Sequence, residues 1–362
     1  MNGTALAVRS RTEPRHIGSV FGRNWAFFFL VALVIAFSGT GKNFFALTNF
    51  QNIVSTGTIY LLLACAETFV LITGGVDLSV GYVMGLSSVS SALGMQMLYA
   101  AHWSPLASIL AGILIGLVAS ALCGLASGVL VARFKVPSLI ATLGVLGVAY
   151  GVTLHLSGGG FSIGFLPPVL TQIGNGFVIY VHNGSGAWGL FRMPEGFAAS
   201  QVRDFTRVIP NSFLFIVLFV LVLWYLLKHT RFGQHTYAIG GSMDAAIRSG
   251  LNVRRHLVLV YVLSAFLSGL AGVFNVFQTG MGNYTPMGAN LELEAIAAVV
   301  IGGASLMGGK GRIMASVVGV LVLQVLENGL TLSGVEPFYR FIAVGLILIA
   351  AVVIDQLFPD FL

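Results

Sequence analysis

The chain has 362 residues, 57% hydrophobic and only 8% charged, with a mean hydropathy of +0.93. A soluble domain of ordinary composition carries about 25% charged residues, so this is a membrane protein and a sizeable soluble domain is excluded. The net charge of +6, from 18 basic and 12 acidic residues, bears on orientation across a bilayer rather than on nucleic acid.

Residues 1–24 carry Arg9, Arg11, Arg15 and Arg23 and lead into an apolar run without a small-residue cleavage site, which reads as a retained cytoplasmic tail. Apolar runs then predict spans near 25–40, 50–73, 80–99, 106–131, 137–156, 211–228, 257–279, 290–306, 313–333 and 338–356. Ten spans of about 20 residues place both termini on one side. With that side cytoplasmic, 13 of the 18 basic residues fall inside: the four in the tail, then Arg133, Lys135, Lys228, Arg231, Arg248, Arg254, Arg255, Lys310 and Arg312. Lys42, Arg192, Arg203, Arg207 and Arg340 fall outside, and the positive-inside rule fixes the orientation. Residues 157–210, with Gly158-Gly159-Gly160, Pro167-Pro168 and Asn183-Gly184, read as an external loop built of turns. Cys65 and Cys123 lie in apolar runs, so a disulfide framework is not expected.

The two halves align. Thr73-Gly74-Gly75-Val76-Asp77-Leu78-Ser79-Val80-Gly81 matches Thr279-Gly280-Met281-Gly282-Asn283-Tyr284-Thr285-Pro286-Met287, Gly124 matches Gly329, and Val136-Pro137 matches Glu336-Pro337. An odd number of spans per copy reverses the second copy in the bilayer. The predicted fold is therefore an all-α membrane protein of about ten transmembrane helices in two inverted five-helix repeats, about 25–156 and 211–356, forming one transmembrane domain over 25–362. Gly-rich breaks at matching positions of the halves point to the solute path, because unwound backbone at membrane depth needs protein or a water-filled cavity around it.

Buried ionisable groups are few and costly, about 2.5 to 3.5 kcal/mol each on insertion scales. Asp77 reads either as a gate or latch or as the N-cap of the third span. Glu67, mid-span, reads either as a solute acceptor or as a group bonded to a neighbouring helix. With Ser79, Asn283 and Thr285 they are the candidate pathway residues. Glu292 and Glu294 open the eighth span, where the helix dipole favours acids. Glu327-Asn328 reads as a polar pair binding helices together, and the runs Gly112–Gly116 and Gly124–Gly128 as close helix packing. No residue set points to catalysis. The segment Ala304–Gly311 fails as a phosphate loop, with alanine at the first glycine position and Gly311 where Ser or Thr should hold magnesium. The seven histidines show no metal spacing.

The inner loop 229–256 holds Gly240-Gly241-Ser242-Met243-Asp244-Ala245-Ala246-Ile247-Arg248-Ser249-Gly250. Ser242 is a good N-cap, Asp244 stands in the first turn, Arg248 four residues on, and Gly250 ends the helix. So short a helix is marginal alone in water. It is expected to dock a cytoplasmic partner through Ala245, Ala246 and Ile247.

The segments ITGGVDLSVG (72–81), TRFGQHTYAIGGSMDAAIRSGLNVRR (230–255) with LSAFLSGLAGVF (263–274), and AIAAVVIGGASLMGGKG (295–311) together resemble the ribose/xylose/arabinose/galactoside class of ABC importer permeases. The resemblance covers about 45–358. It implies a bacterial inner-membrane protein with both termini cytoplasmic, a second permease protomer, and a soluble binding protein that delivers solute. It also implies a cytoplasmic ATPase with paired nucleotide-binding domains, so that ATP and magnesium belong to the partner and no cofactor to this chain. Residues 242–250 resemble the coupling helix that fits the ATPase. The outer loop is longer than usual for the class, and Glu67 stands where relatives often carry a neutral polar residue. The expected solute is a sugar or related polyol. Members of the superfamily also carry nucleosides or furanosyl signals, and the competing class is an ion-coupled secondary transporter, against which the capped inner helix counts.

Overall fold

The computed structural model describes residues 25–40, 43–194, 196–197, 203–285 and 290–357. The predicted tail 1–24 and the matched Pro286-Met287 lie outside the described residues. All ten apolar runs are helical: α1 (Trp25–Thr40), α2 (Leu47–Ile72), α3 (Val80–Ala100), α4 (Pro105–Ala132), α5 (Ser138–Leu156), α7 (Asn211–His229), α10 (Val253–Thr279), α11 (Leu291–Ile301), α12 (Ile313–Leu332) and α13 (Pro337–Leu357). The segment 157–210 adds the short helix α6 (Val169–Gly174), and the loop 229–256 α8 (Arg231–Gly241) and α9 (Met243–Arg248).

Six of these helices, α2, α4, α5, α7, α10 and α12, are long and apolar enough to cross a bilayer. The run expected over 290–306 is corrected: α11 ends at Ile301 after 11 residues, about 16 Å, against about 30 Å of hydrocarbon. Gly302 and Gly303 stop it, the latter in the left-handed region at φ 89°. Helix α3 is long enough but less apolar, because Ser87, Ser88, Ser90 and Ser91 interrupt it, all of them buried in protein.

Helices α2 and α10 form the centre. The most apolar stretch of α2 is 78% buried, that of α7 only 22%, so α7 turns Leu214, Leu218, Leu221 and Val222 outward, as a lipid-facing helix does. The packing repeats across the halves: α2 lies against α11 and α12, and α10 against α3 and α4, while α3 meets α4 and α5 as α11 meets α12 and α13.

Glycines let the central helices approach closely. A methyl on Gly116 would lie 2.8 Å from Ser87 Oγ, on Gly124 2.5 Å from the Tyr261 carbonyl, and on Gly128 2.8 Å from Val258 Cα. Helix α4 thus packs its first glycines on α3 and its later ones on α10, as the small-residue runs imply. Asn328 donates to Asn49 Oδ1 at 2.8 Å, joining α12 to α2 in the manner read from the polar pair. Both cysteines are free.

Local rules set several helix starts. Ser104 accepts from Ala107 N–H with Pro105 in the first turn, Thr230 accepts from Gly233, and Asn252 from Arg255. The segment 157–210 is more than turns. It carries an antiparallel sheet in the order β2-β1-β3, from β1 (Ile179–His182), β2 (Trp188–Leu190) and β3 (Phe205–Arg207). The register places Val181 opposite Trp188 and His182 opposite Phe205. Asn183-Gly184 supplies the predicted turn between β1 and β2, while His182 Nδ1 accepts from Ser185 N–H. Gln51 on α2 donates to the carbonyl of Val208 at 3.1 Å, and Asn175 donates to the carbonyl of Gln278, so this segment is tied to the N-terminal end of α2 and the C-terminal end of α10.

Candidate functional site: the coupling segment and the two chain breaks

Helix α9 is built as its sequence asks. Ser242 accepts from Ala245 N–H at 3.2 Å, Gly250 N–H donates to Ile247 and Leu251 N–H to the Ala246 carbonyl, and Gly250 takes φ 85°, a left-handed stop. Asp244 and Arg248 stand exposed in its first and last turns. The expected docking face is corrected. Ala246 is 3% exposed and packs with Ala132, Ile239, Val253 and Leu257, so it anchors α9 to the membrane domain. The apolar groups left outward are Met243 and Ile247, 45% and 55% exposed, with Ala245 beside them.

Directly before α9 the backbone enters a joint. A methyl on Gly240 would overlap the Ile72 carbonyl at the end of α2. That carbonyl accepts from Gly309 N–H at 2.8 Å, which satisfies one of the orphan acceptors at a helix C-terminus. A methyl on Gly308 would stand 2.9 Å from Gly74 N and 3.1 Å from the Gly240 carbonyl. Tyr237 adds a hydrogen bond to the Gly311 carbonyl at 2.6 Å. The main chains of three distant segments, at Ile72–Gly74, Gly240 and Gly308–Gly309, therefore meet in one contact, in which a side chain on Gly240 or Gly308 would strike backbone. Gly241 faces the other way, with nothing within 4 Å of an added methyl.

The first break, Thr73–Ser79, leaves this joint and is closed by hydrogen bonds. Asp77 is 1% exposed. Its Oδ1 accepts from Ser79 N–H at 3.0 Å and from the Ser79 hydroxyl at 2.5 Å, and its Oδ2 accepts from the Ser264 hydroxyl at 2.8 Å. The cap reading is corrected: Ser79 holds the N-cap position of α3 and makes no capping bond, while Asp77 folds the turn and latches it to α10. Val76 N–H donates to Ser138 Oγ and Leu78 N–H to Thr142 Oγ1, tying the same turn to α5. Ser79, at 2% exposure, spends its hydroxyl on Asp77. Glu67 lies nearby on α2, fully buried, with its carboxyl beside the backbone of Asp77. Its neighbour Thr68 shares a 2.7 Å hydrogen bond with Ser316 on α12.

The second break follows Gly280, which ends α10 at φ 71°. Gly282 and Ile163 exchange backbone hydrogen bonds. Asn283 N–H donates to Ser88 Oγ at 3.0 Å and Asn283 Oδ1 accepts from Ser162 at 2.8 Å. Thr285 lines a narrow cleft with Gly81, Tyr82, Tyr284, Asn290 and Glu292. The structure thus gathers Asn283 and Thr285 on one side and Asp77, Ser79 and Glu67 on another. Sequence reasoning missed Ser264, Ser138 and Thr142. Ser264 falls in LSAFLSGLAGVF, a motif noted for resemblance but not paired with Asp77.

Among the described residues no group of three His, Cys, Asp or Glu side chains could hold a metal. Residues 49–352 match the family described as branched-chain amino acid transport system / permease component. The chain belongs to that family. The permease is 36% identical to a ribose import permease protein of Bacillus subtilis over 348 residues, 96% of this chain and 97% of that one. It is 33% identical to the ribose import permease protein of Escherichia coli K12, covering 90% and 91% of the two chains, and 30% identical to the D-allose transport system permease protein of the same strain, covering 96% of each. No solved structure matches the permease.

Proposed function

We propose that this permease is the membrane-spanning subunit of an ATP-driven sugar importer, oriented with both termini and the loop 229–256 in the cytoplasm of a bacterial inner membrane. The observation that carries it is the joint of Gly74, Gly240 and Gly308. A helix whose exposed Met243 and Ile247 are free to enter a partner's pocket is joined, three residues before its start, to the ends of both halves of the membrane domain. A push on α9 cannot be absorbed by sliding side chains and passes to the Asp77 turn and to the turn after α11 together.

The partner that pushes is a cytoplasmic ATPase with two nucleotide-binding domains, which holds the ATP and magnesium. Two permease protomers enclose the path, and a soluble binding protein delivers solute to the outer face. The sugar assignment rests on ribose and D-allose permeases matched along nearly the whole chain. The test is reconstitution in vesicles. Sugar uptake is expected only with the ATPase, ATP and a loaded binding protein present, and uptake by the permease alone on an ion gradient would establish the secondary-transporter reading instead.

A further inference from the structure

A cleft of about 370 Å³ lies where α7 ends and α12 begins, two helices that pack together, and its room is far beyond what one water needs. Two basic side chains converge on it from distant parts of the chain: Lys228 from the last turn of α7 and Arg312 from the N-cap position of α12. Lys228 Nζ stands over the Trp224 ring, 5.2 Å from its centroid, a contact that positions the ammonium without neutralising it. Tyr237 adds a wall from α8, its hydroxyl spent on the carbonyl of Gly311, one residue before Arg312. The buried apolar side chains of Leu227 and Ile313 complete the lining. Among the described residues no carboxylate lines the cleft, so two cations face it with no anion in its walls. Beside it the surface turns apolar: Met314 is exposed on α12, and Tyr225 and Leu221 are exposed on α7, one and two turns back from Lys228.

We infer that this cleft seats the phosphodiester of an anionic phospholipid, from the leaflet on the side of the loop 229–256, with the acyl chains along the exposed face of α7. Arg312 offers a planar fork that can bond two phosphate oxygens at once, and Lys228 adds a point charge. Trp224 and Tyr237 suit the depth at which headgroups meet hydrocarbon, and a basic pocket between membrane helices is an arrangement that anionic headgroups fill. Charge and surface sort the other occupants. A zwitterionic lipid brings its own cation against Lys228 and Arg312. Residues 1–24, with four arginines and one glutamate, are repelled. A soluble phosphate meets the cations but gains nothing from Met314 and Leu221. The bound headgroup bridges α7 to the start of α12, three residues from Gly309, and so clamps the flank of the glycine joint. The inference needs a bilayer and does not depend on the importer reading.

The experiment uses the whole chain in a neutral detergent, titrated at fixed ionic strength with dioleoyl phosphatidylglycerol, dioleoyl phosphatidylcholine or glycerol 3-phosphate. Bound lipid is counted by native mass spectrometry and the melting temperature is followed in parallel. Phosphatidylglycerol is expected to bind saturably and to raise the melting temperature, and the other two to do neither. Lys228→Gln/Arg312→Gln should weaken that binding about tenfold or more. Arg254→Gln/Arg255→Gln, which removes the same charge at the start of α10, should leave it unchanged. All four side chains are exposed, so both variants should melt like the parent when lipid is absent. Equal weakening by the two variants, or by neither, or equal binding of phosphatidylcholine, overturns the site. Displacement of phosphatidylglycerol by glycerol 3-phosphate overturns the lipid in favour of a soluble phosphate. Asp355→Asn/Asp360→Asn should leave the affinity as it is; a rise would mean that the chain's own carboxylates fill the cleft, and overturns the proposal.

Discussion

The two breaks occupy matching positions in the halves and are held in opposite ways. In the first, Asp77 collects three hydrogen bonds, Ser138 and Thr142 take the neighbouring N–H groups, and Gly74 is pressed into the glycine joint. In the second, Asn283 is anchored but Thr285 and Glu292 line a cleft. Buried polar groups with all partners in place rigidify a site, while groups facing a gap are available to a ligand. One repeat's break is therefore held rigidly, and the other's leaves Thr285 and Glu292 beside a gap.

The largest effect should come from adjacent glycines that look alike in sequence. Gly240→Val forces a branched side chain onto the Ile72 carbonyl and should abolish accumulation of folded permease, beyond the ~1–3 kcal/mol usual for overpacking, because main chain cannot step aside as a side chain can. Gly241→Ala, into open space, should leave membrane level and thermal stability in detergent unchanged. Equal behaviour of the two would break the joint.

Next in size is the Asp77 latch. Asp77→Leu strands the Ser79 and Ser264 donors in a dry site, at about 1–3 kcal/mol per unsatisfied group, and should lower the melting temperature sharply. Asp77→Asn keeps an acceptor toward Ser79, and the Ser264 hydroxyl can rotate to accept, so it should retain most of the stability and uptake. Full stability with uptake lost in Asp77→Asn would show that the charge itself works in the cycle.

How much of this was legible follows from what each signal can carry. The helical runs were readable because twenty apolar residues are a strong pattern, and Ser242 and Gly250 mark the ends of α9 because caps are local chemistry. The face of α9 was not readable: six residues hold less than two turns, too few for a hydrophobic period, so only contact with Ala132 and Leu257 shows that Ala246 points inward. The end of α11 was hidden because the apolar run continues through Gly302 and Gly303 to Leu306 while the backbone turns. The partner of Asp77 lies 187 residues away, a pairing no local pattern encodes. The three-stranded sheet was hidden too, since its strands are only three or four residues long.

Within the loop 229–256 the contrast is between the buried anchor Ala246 and the exposed Ile247, the proposed docking group. Ala246→Arg buries an unpaired charge against Ile239 and Val253, costing several kcal/mol, and should lower permease level itself. Ile247→Arg changes an outward group and should leave level and melting temperature intact while weakening co-purification with the ATPase about tenfold or more. If Ile247→Arg binds and couples like the parent, α9 is not the docking element.

The smallest effect belongs to the charged pair that bounds α9. Asp244 and Arg248 are exposed and four residues apart, an arrangement worth about 0.3–0.5 kcal/mol on a helix surface. Asp244 also gains a few tenths of a kcal/mol from the dipole of the first turn. A helix of six residues does not survive on such terms; it survives because Ala246 is buried and both ends are capped. Asp244→Ala and Arg248→Ala should therefore each shift thermal stability by less than a degree or two, and salt at 0.5 M, which screens exposed pairs, should remove even that. ATPase co-purification at low salt supplies the sharper reading. If Arg248→Ala weakens it as much as Ile247→Arg does, the docking contact is an ion pair reaching across the interface, and the apolar face formed by Met243 and Ile247 is its rim rather than its centre.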